Sequence, residues 1–203
     1  MDISKESNYK PLVSIGLPLY NTEKTIFECL ENIEKQTYEN IEVIISDNAS
    51  EDKTIEIVEN FIKKKNKYKL FKSQTNRGII WNFNNVFIKS NGEYFCWFSH
   101  DDIRSEKFIE KCLIELIKNH KAVLCQGETS IIFDNKTISR NSLQSFKYKK
   151  NIYERYNETL NNFPATGIYG LYRSEAIKKT KLLRNSIAGD IIFINNLSIY
   201  GSF

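Results

Sequence analysis

The first 125 residues alternate short β-branched apolar runs with segments in which apolar residues recur at helical spacing. The apolar runs predict strands at 12–17, 41–45, 68–72, 94–98 and 122–125. The intervening segments predict helices, because apolar residues return every three or four positions, as in Ile26, Leu30 and Ile33. This alternation predicts an α/β fold, Rossmann-like, with a mostly parallel sheet flanked by helices on both faces.

Two local details refine these boundaries. We expect the first strand to end before Pro18, because proline cannot donate a ladder hydrogen bond. We expect Ser105 to cap the helix that follows the fourth strand, because serine oxygens accept from helical N–H groups. Pro18 and Ser105 both stand where a predicted strand or helix meets a polar loop.

The pattern becomes less regular after residue 125. Short strand-like pieces, Thr129–Phe133, Thr137–Ser139 and Ile168–Tyr172, alternate with polar stretches, and Ala188–Tyr200 has a helical apolar pattern. The chain contains no internal repeat and no linker composition. We therefore predict a single domain over residues 1–203 whose second half is more irregular than its first.

Composition and charge exclude several classes of protein. Twenty-nine Lys and Arg against 25 Asp and Glu leave a net charge of +4, too mild for a dedicated nucleic-acid binder, so we expect no nucleic-acid partner. No apolar run approaches the length of a membrane span, and the polar start Met1–Glu6 is unlike a signal peptide. Four scattered cysteines and two histidines argue against a zinc cage and for reduced thiols. These features predict a cytoplasmic protein.

Polar side chains gather directly after the predicted strands. The segments concerned are Pro18–Glu23, Asp47–Asp52, Asn76–Gly78 and His100–Asp102. In open parallel sheets, ligands bind beyond the carboxyl ends of the strands, where the strand order reverses. The sequence therefore predicts one binding site built from these four loops.

The phosphates of a nucleotide bound there would need neutralisation. The sequence has no G-x-G-x-x-G or G-x-x-x-x-G-K-[ST] pattern that could surround them with backbone N–H groups. The neighbouring carboxylates Asp101 and Asp102 could instead hold a hard divalent cation whose shell the phosphates complete. An Asp-Asp pair before a helix is also typical of an N-cap turn, and the pair alone leaves both interpretations open.

Several segments, in sequence order, resemble motifs of the family 2 glycosyltransferases with the GT-A fold. They are the opening strand Val13–Asn21, the second strand with its D-x-x-S-x-D-x-T loop at Asp47–Thr54, the N-x-G loop Asn76–Gly78, the entry Asn91–Tyr94 to the fourth strand, and Ser99–Asp102 at the place of the D-x-D motif. The resemblance covers roughly residues 11–125. It implies inverting transfer of a sugar from a nucleotide diphosphate, with Mn²⁺ or Mg²⁺ as cofactor.

The resemblance also implies different roles for the two halves of the chain. Residues 11–125 would bind the nucleotide-sugar donor, and residues 126–203 would form the acceptor side. Members of the family commonly extend beyond the last helix, so we expect the acceptor side to be truncated at the C terminus.

The metal motif departs from the family pattern. Many members read D-x-D-D, whereas this chain has Ser99 and His100 in the first two places. The resemblance carries Asp102 over as the metal ligand and Asp101 as a contact to the ribose or to the metal shell, with their order at the cation open. His100 either approaches the diphosphate or only spaces the loop.

The other donor-site residues follow from the same resemblance. Asp47 matches the acid that reads the base, and a carboxylate acceptor suits the N3–H of uracil, so we expect a UDP-sugar. The alternative interpretation is that Asp47 only forms a turn. Arg77, beside Asn76 in the N-x-G loop, would reach the base or a phosphate, or is a solvated loop residue.

The resemblance gives the base and ribose wall to the loop after the first strand. Pro18, Tyr20 and Glu23 are the residues concerned. For Tyr20 and Glu23, an ordinary loop and helix start is an equal alternative.

The acceptor hydroxyl requires a base, and the family has an acidic residue at the head of a late helix. Asp190 occupies that position, after the segment Gly167–Arg173, so the resemblance makes it the catalytic base. The alternative is that Asp190 only caps its helix. Asp134 and Glu175 are weaker candidates because they lack the motif context.

The expected partners are a nucleotide-sugar donor and a glycan, lipid-linked or other hydroxyl acceptor. Two basic clusters, Lys63–Lys67 and Lys147–Lys150, leave room for a peripheral contact with the inner membrane surface. One alternative function is a nucleotidyltransferase, which would want a Gly-rich basic loop that Leu17–Asn21 lacks. The other is a catalytically silent module that binds nucleotide sugars.

Overall fold

The fold is that of a computed structural model, which describes residues 10–133, 136–141, 151–162 and 165–203. The strands are β1 (Val13–Leu19), β2 (Ile41–Asp47), β3 (Tyr68–Lys72), β4 (Tyr94–Trp97), β5 (Leu124–Cys125), β6 (Thr129–Phe133), β7 (Lys136–Asn141) and β8 (Leu171–Arg173). The helices are α1 (Ile26–Glu34), α2 (Thr54–Ile62), α3 (Ile79–Ile88), α4 (Phe108–Lys118), α5 (Ile152–Asn162), α6 (Ser174–Lys178) and α7 (Gly189–Leu197), with a 3₁₀ helix at Ala165–Tyr169.

The central sheet has six strands in the order β3-β2-β1-β4-β8-β5. Strands β1 to β4 are mutually parallel where they pair, and β8 runs antiparallel between β4 and β5. Strand order reverses between β1 and β4, which is where ligands bind in such sheets. The predicted mostly parallel α/β sheet is confirmed, and the later strand β8 lies inside it rather than at its edge.

Two apolar layers cover the sheet, and the strands feed them alternately. In β4, Tyr94 and Cys96 belong to the layer beneath α1, α2 and α4, whereas Phe95 and Trp97 belong to the layer beneath α3, α6 and α7. Successive side chains of a strand point to opposite faces, so a strand that is apolar throughout must be covered on both. The continuous apolar runs of the sequence have this physical cause.

The expectation that β1 ends before Pro18 was wrong. The strand continues to Leu19, and Pro18 lies opposite Ser46 of β2. The carbonyl of Gly16 accepts a hydrogen bond from the Phe98 N–H, on the side of β4. Every second residue of a strand directs its backbone groups to the same neighbour, so the backbone of Pro18 also faces β4. Because β4 itself ends at Trp97, no ladder bond is lost at Pro18.

Two other boundaries differ from expectation. Helix α4 begins at Phe108 and has no side-chain cap; Ser105 contributes its carbonyl, which accepts the Phe108 N–H at 2.9 Å. The predicted strand Ile168–Tyr172 is divided between the 3₁₀ helix and β8. The strand-like pieces at 129–139 form the hairpin β6–β7, as expected for short alternating strands.

A buried carboxylate ties the sheet together away from the carboxyl ends of its strands. Glu42 of β2 accepts hydrogen bonds from the Ser14 hydroxyl at 2.6 Å, from Lys69 Nζ at 2.7 Å and from the Asn91 N–H at 2.6 Å. The Ser14 hydroxyl in turn accepts the Gly92 N–H at 2.7 Å. Three strands and the approach to β4 therefore share one polar network.

Candidate active site at the carboxyl ends of the strands

The loops after β1 and β2 interlock through side-chain hydrogen bonds. Asn21, which has a left-handed φ of 51°, accepts the Glu51 N–H at 2.8 Å and donates its own N–H to Ser50 Oγ at 2.9 Å. The Thr22 N–H donates to Thr54 Oγ1 at 2.7 Å. The two loops therefore form one unit at the predicted donor site.

Three predicted wall residues lie in or beside this unit. Pro18 is buried within β1, and the Tyr20 ring is 43% exposed. Glu23 accepts the Lys53 N–H at 3.0 Å and donates its own N–H to Asp52 at 3.0 Å. Glu23 thus helps to hold the start of α2, which is the structural alternative considered for it, while Tyr20 presents an open aromatic surface.

Asp47 is the last residue of β2 and is only 2% exposed. Its two carboxylate oxygens accept hydrogen bonds from the Ser50 N–H at 3.0 Å and the Ser50 hydroxyl at 2.5 Å. A carboxylate has about four acceptor positions, so lone pairs remain after both bonds are made. Asp47 is therefore a buried acceptor, fixed by its loop, that can still receive a donor N–H.

Asn48 joins β2 to the loop after β3, and sequence reasoning did not single it out. Its amide nitrogen donates to Asn76 Oδ1 at 2.8 Å and to the Gly78 carbonyl at 3.3 Å, and its oxygen accepts the Arg77 N–H at 2.9 Å. Gly78 begins α3 with a left-handed φ of 86°, which glycine adopts without steric cost. The oxygen of Asn76 is thus engaged within the protein.

Arg77 is exposed, and its side chain stacks on an aromatic ring. Its guanidinium carbon lies 4.3 Å from the ring centroid of Trp81, within cation–π range. A guanidinium that lies over a ring can still donate its N–H groups to planar or anionic acceptors. The contact of Arg77 with a base or a phosphate stays a prediction.

The loop after β4 carries the adjacent carboxylates. Asp101 accepts a very short hydrogen bond from the Ser99 hydroxyl, and this bond lowers its pKa. Partial burial raises the pKa of Asp102, and the neighbouring charge of Asp101 raises it further. His100 Nδ1 is hydrogen-bonded to Thr25 Oγ1 at 2.8 Å. That bond uses one ring nitrogen within the protein, in line with the spacer interpretation of His100.

The carboxylates of this loop could bind a divalent cation together with the phosphates of a substrate. Carboxylate oxygens are the ligands that Mg²⁺ and Mn²⁺ prefer, and a cation would relieve the repulsion between Asp101 and Asp102. Among the described residues, no group of three or more His, Cys, Asp or Glu side chains is close enough together to hold an ion. Two adjacent carboxylates suit such a cation, and its other coordination positions would fall to phosphate oxygens and water.

Asp190 lies in the first turn of α7, and one of its oxygens accepts the Ile191 N–H at 2.9 Å. The preceding turn is tight: Ala188 is left-handed with φ 58°, and a Cβ on Gly189 would lie 2.4 Å from the Arg184 carbonyl oxygen. The 3₁₀ helix contacts both α7 and β4. The helix that carries Asp190 and the strand that precedes the carboxylate pair therefore both contact the 3₁₀ helix.

The weaker base candidates lie elsewhere. Glu175 is exposed in α6 and follows Arg173, which pairs with the first residue of β4, so it is at the opposite end of that strand from the carboxylate pair. Asp134 lies outside the described residues.

Residues 14–181 match the sequence model of "Glycosyl transferase family 2". The chain belongs to this family. The resemblance inferred from the strand-end motifs is thereby confirmed. A relative from Methanococcus voltae is 31% identical over an alignment of 188 residues that covers 84% of this chain and 56% of the relative. It is named dolichyl N-acetyl-alpha-D-glucosaminyl phosphate 3-beta-D-2,3-diacetamido-2,3-dideoxy-beta-D-glucuronosyltransferase.

Other relatives match over shorter stretches. An uncharacterized glycosyltransferase of Haemophilus influenzae is 37% identical over 110 residues, covering 54% of this chain and 44% of its own length. Glycosyltransferase GlyG of Streptococcus pneumoniae is 37% identical over 99 residues, covering 49% and 33%. The chain thus spans a third to about half of the length of these relatives.

Solved structures of glycosyltransferases share the fold. TarS residues 1–349 from S. aureus superpose with a TM-score of 0.70 at 24% identity, covering 94% of this chain and 55% of that one. The mannosyltransferase PcManGT from Pyrobaculum calidifontis gives a TM-score of 0.68 at 19% identity, covering 96% and 54%. Family membership and these neighbours confirm the predicted GT-A fold.

Proposed function

We propose that the protein transfers a glycosyl group from a UDP-sugar to a hydroxyl group of a glycan or lipid-linked acceptor. One observation carries this proposal: Asp47 ends β2, while Arg77 and the Asp101–Asp102 pair follow β3 and β4, on either side of the central strand β1. A base-reading acceptor, a guanidinium and a cation-binding carboxylate pair therefore share one edge of the sheet. Base, phosphates and metal of a nucleotide diphosphate require these three chemistries.

Uridine is proposed as the nucleoside because the group available to its base is a buried acceptor. The carboxylate of Asp47 is suited to the N3–H of uracil, whereas N3 of cytosine carries no hydrogen. TarS has been crystallised with UDP and with UDP-GlcNAc, but PcManGT was crystallised with GDP-Man and Mn²⁺. Neighbours of this fold thus bind different bases. Asp47 disfavours cytosine but would also accept the N1–H of guanine, so a comparison of UDP with GDP decides the nucleoside.

The remaining donor contacts are proposed from exposure and charge. The open Tyr20 ring, with Pro18 and Glu23 beside it, would border the base and ribose, and Arg77 would reach the base or a phosphate. Asp102 would coordinate Mn²⁺ or Mg²⁺, and Asp101 would contact the ribose or the metal shell. When bound, the cation supplies positive charge that offsets the charge developing on the leaving diphosphate.

Asp190 is proposed as the base for the acceptor. Its carboxylate would take the proton of the acceptor hydroxyl as the hydroxyl oxygen bonds to the anomeric carbon of the sugar. The bond from that carbon to the diphosphate oxygen breaks, and UDP leaves with the electron pair. Attack from the face opposite the leaving group inverts the anomeric centre.

We also propose a cytoplasmic location with a peripheral contact to the inner membrane surface, because that contact would bring the enzyme to a lipid-linked acceptor. The dolichyl compound in the name of the M. voltae relative supports a lipid-linked acceptor. The lysine cluster at 63–67 offers weaker support, because Lys65 and Lys67 form ion pairs with Glu34 at 3.5 and 3.2 Å. The second cluster, Lys147–Lys150, lies outside the described residues. Within the described residues, no helix has the length and apolar character needed to cross a bilayer.

Nucleotide-dependent thermal stabilisation tests the proposal. We expect UDP to raise the melting temperature in the presence of Mn²⁺ and to have little effect without it, because only binding to the native state stabilises it. Asp102→Asn should remove the Mn²⁺-dependent shift while the protein remains folded. Stabilisation by UDP that is equal with and without metal, or equal in the variant, would contradict the metal assignment. Release of UDP from a UDP-sugar in the presence of acceptor then separates an enzyme from a silent binding module.

A further inference from the structure

Arg104 joins two segments beside the candidate site, and one of its partners, Tyr169, is 65 residues away in the sequence. Its Nη1 donates to the Tyr169 carbonyl at 2.5 Å, and its Nη2 donates to the Trp97 carbonyl at 2.8 Å. Trp97 ends β4, and Tyr169 ends the 3₁₀ helix that contacts α7. The Arg104 guanidinium therefore links the end of β4, which precedes Asp101 and Asp102, to the 3₁₀ helix. The 3₁₀ helix in turn contacts α7, which carries Asp190.

The guanidinium makes no direct ion pair, although the charge of Asp102 acts on it. It lies over the rings of Phe98 and Phe108, with centroid distances of 4.2 and 4.5 Å, and no ion pair joins Arg104 to a carboxylate in the described part of the chain. Its Nε is buried and has no hydrogen-bond partner. A desolvated cation is costly, and here two carbonyl dipoles, two aromatic rings and the Asp102 charge stabilise it. This costly arrangement fixes its two carbonyl partners at the spacing of the guanidinium nitrogens.

The main chain of Arg104 is clamped as well. Its N–H donates to Asn32 Oδ1 at 2.9 Å, and its carbonyl accepts from Asn32 Nδ2 at 2.8 Å. The Ser99 hydroxyl donates to Asp101 within the same loop. The loop from residue 99 to residue 104, which we call the metal loop, is therefore tied at Arg104 to Asn32 of α1 and to the Tyr169 carbonyl.

We propose that Arg104 is a positioning residue for glycosyl transfer, holding the metal loop and the 3₁₀ helix at the separation that the donor diphosphate and the acceptor side require. The proposal rests on the proposed function. It assigns the role to the two-pronged geometry of the guanidinium. A lysine ammonium in the same place would keep the charge but could not present two rigid, coplanar donors to both carbonyls.

Arg173 provides a matched control. It is also an arginine bonded to carbonyls, donating to those of Ala122 at 2.9 Å and Leu116 at 2.5 Å, and its Nη1 donates to the Tyr94 hydroxyl at 2.8 Å. It lies at the amino end of β4, away from the metal loop. Arg173→Lys should therefore lower stability through similar lost contacts without disturbing the candidate site.

The experiment compares Arg104→Lys, Arg104→Met and Arg173→Lys with the wild type. Calorimetry measures UDP affinity with and without Mn²⁺, and hydrogen-exchange mass spectrometry measures amide protection in segments 99–104 and 165–170. We expect both Arg104 variants to lose protection in the two segments together. We expect Mn²⁺-dependent UDP affinity to fall at least about tenfold, the usual effect of removing a group that orients metal ligands. Arg173→Lys should keep that affinity within about twofold even where its melting temperature falls.

Each outcome decides the proposal. Unchanged protection in either segment of Arg104→Lys, or wild-type affinity in that variant, would overturn the two-pronged role. Equal loss of affinity in Arg173→Lys would show a general effect of stability instead. Arg104→Met fills the site with an apolar side chain of similar length, so it remains informative if the lysine variant does not fold. If the wild type binds no UDP with Mn²⁺, the proposed function fails, while the exchange data still decide whether Arg104 holds the two segments together.

Discussion

The side-chain amide of Asn48 donates a hydrogen bond to Asn76 Oδ1 at 2.8 Å, across 28 residues of sequence. The same Asn76 oxygen accepts the Gly78 N–H at 2.9 Å, which fixes the orientation of the Asn76 amide. Asn48 also accepts the Arg77 N–H, so one buried side chain holds the loop that presents Arg77. The arrangement requires a donor at position 48 and an acceptor at position 76.

Replacing Asn48 and Asn76 by aspartate, one at a time, tests the donor at position 48 and the acceptor at position 76 separately. Asn48→Asp removes the donor and sets a carboxylate against the Asn76 oxygen and the Gly78 carbonyl, so we expect the free energy of unfolding to fall by about 1–3 kcal/mol. Asn76→Asp keeps the acceptor and should change stability by less than about 0.5 kcal/mol. Urea unfolding of both variants measures the difference. Equal stability of the two variants would contradict the donor role of Asn48.

The Glu42 network makes stability depend on pH. Burial raises the pKa of the Glu42 carboxyl, but hydrogen bonds from Lys69, Ser14 and the Asn91 N–H outweigh burial and leave the pKa below its ordinary value of 4.5. Because the folded-state pKa is depressed, this contribution is present above about pH 4.5 and is lost as the pH falls through the folded-state pKa.

Glu42→Gln should therefore lower the free energy of unfolding at pH 7 by about 1.5–3 kcal/mol, the usual value for hydrogen bonds to a charged group. The difference from the wild type should narrow as the pH is lowered below 4.5. Glu59→Gln is the control, since its ion pair with Lys72 is half exposed and such pairs contribute about 0–1 kcal/mol. A constant difference between Glu42→Gln and wild type from pH 7 to pH 3 would show that ionisation of Glu42 is not involved.

Asp47→Ala should weaken UDP binding by about 1.5–3 kcal/mol, because it removes a charged acceptor from the base. Since Asp47 also holds Ser50, the variant loosens the loop as well. Ser50→Ala loosens the same loop but keeps the carboxylate, and its UDP affinity should stay within about threefold of wild type. Titration calorimetry of both variants, with GDP as a second ligand, makes the comparison. Tighter binding of GDP than of UDP by the wild type would exclude the uridine assignment.

Asp190→Asn should separate chemistry from donor binding. Asparagine can still accept the Ile191 N–H but is not a base, so we expect normal stability and UDP affinity, with glycosyl transfer reduced about 10²–10⁴-fold. Glu175→Gln removes an exposed carboxylate at the far end of β4 and should leave transfer unchanged. The measurement is the rate of transfer to an identified acceptor. Turnover of Asp190→Asn within a few-fold of wild type would reduce Asp190 to a helix-terminal residue.

Much of the fold could be predicted because its information is local. The run at 94–98 is apolar throughout because both sheet faces are covered there, and that continuity is visible without knowing the partners. The polar clusters after them could be assigned to one edge of the sheet because parallel strands bring their carboxyl ends together. Asp47, Arg77 and Asp102 were found in this way, although their roles stay predictions.

What could not be predicted depends on contacts between distant segments. The insertion of β8 between β4 and β5 rests on antiparallel pairing with two strands that lie earlier in the sequence. The continuation of β1 through Pro18 depends on where its neighbour β4 ends. Neither fact has a local sign in the sequence, because a residue's own pattern does not say which strand lies beside it.

The alternating architecture, the family and the set of polar residues at the strand ends follow from the order of the amino acids alone. How those residues are held, through Asn48 for the Arg77 loop and Arg104 for the metal loop, depends on the folded chain. The difference comes from the range of the interactions. Periodicity and turn chemistry act between near neighbours in sequence, whereas buried amides and guanidiniums are satisfied by whichever backbone groups the folded chain brings within hydrogen-bond distance.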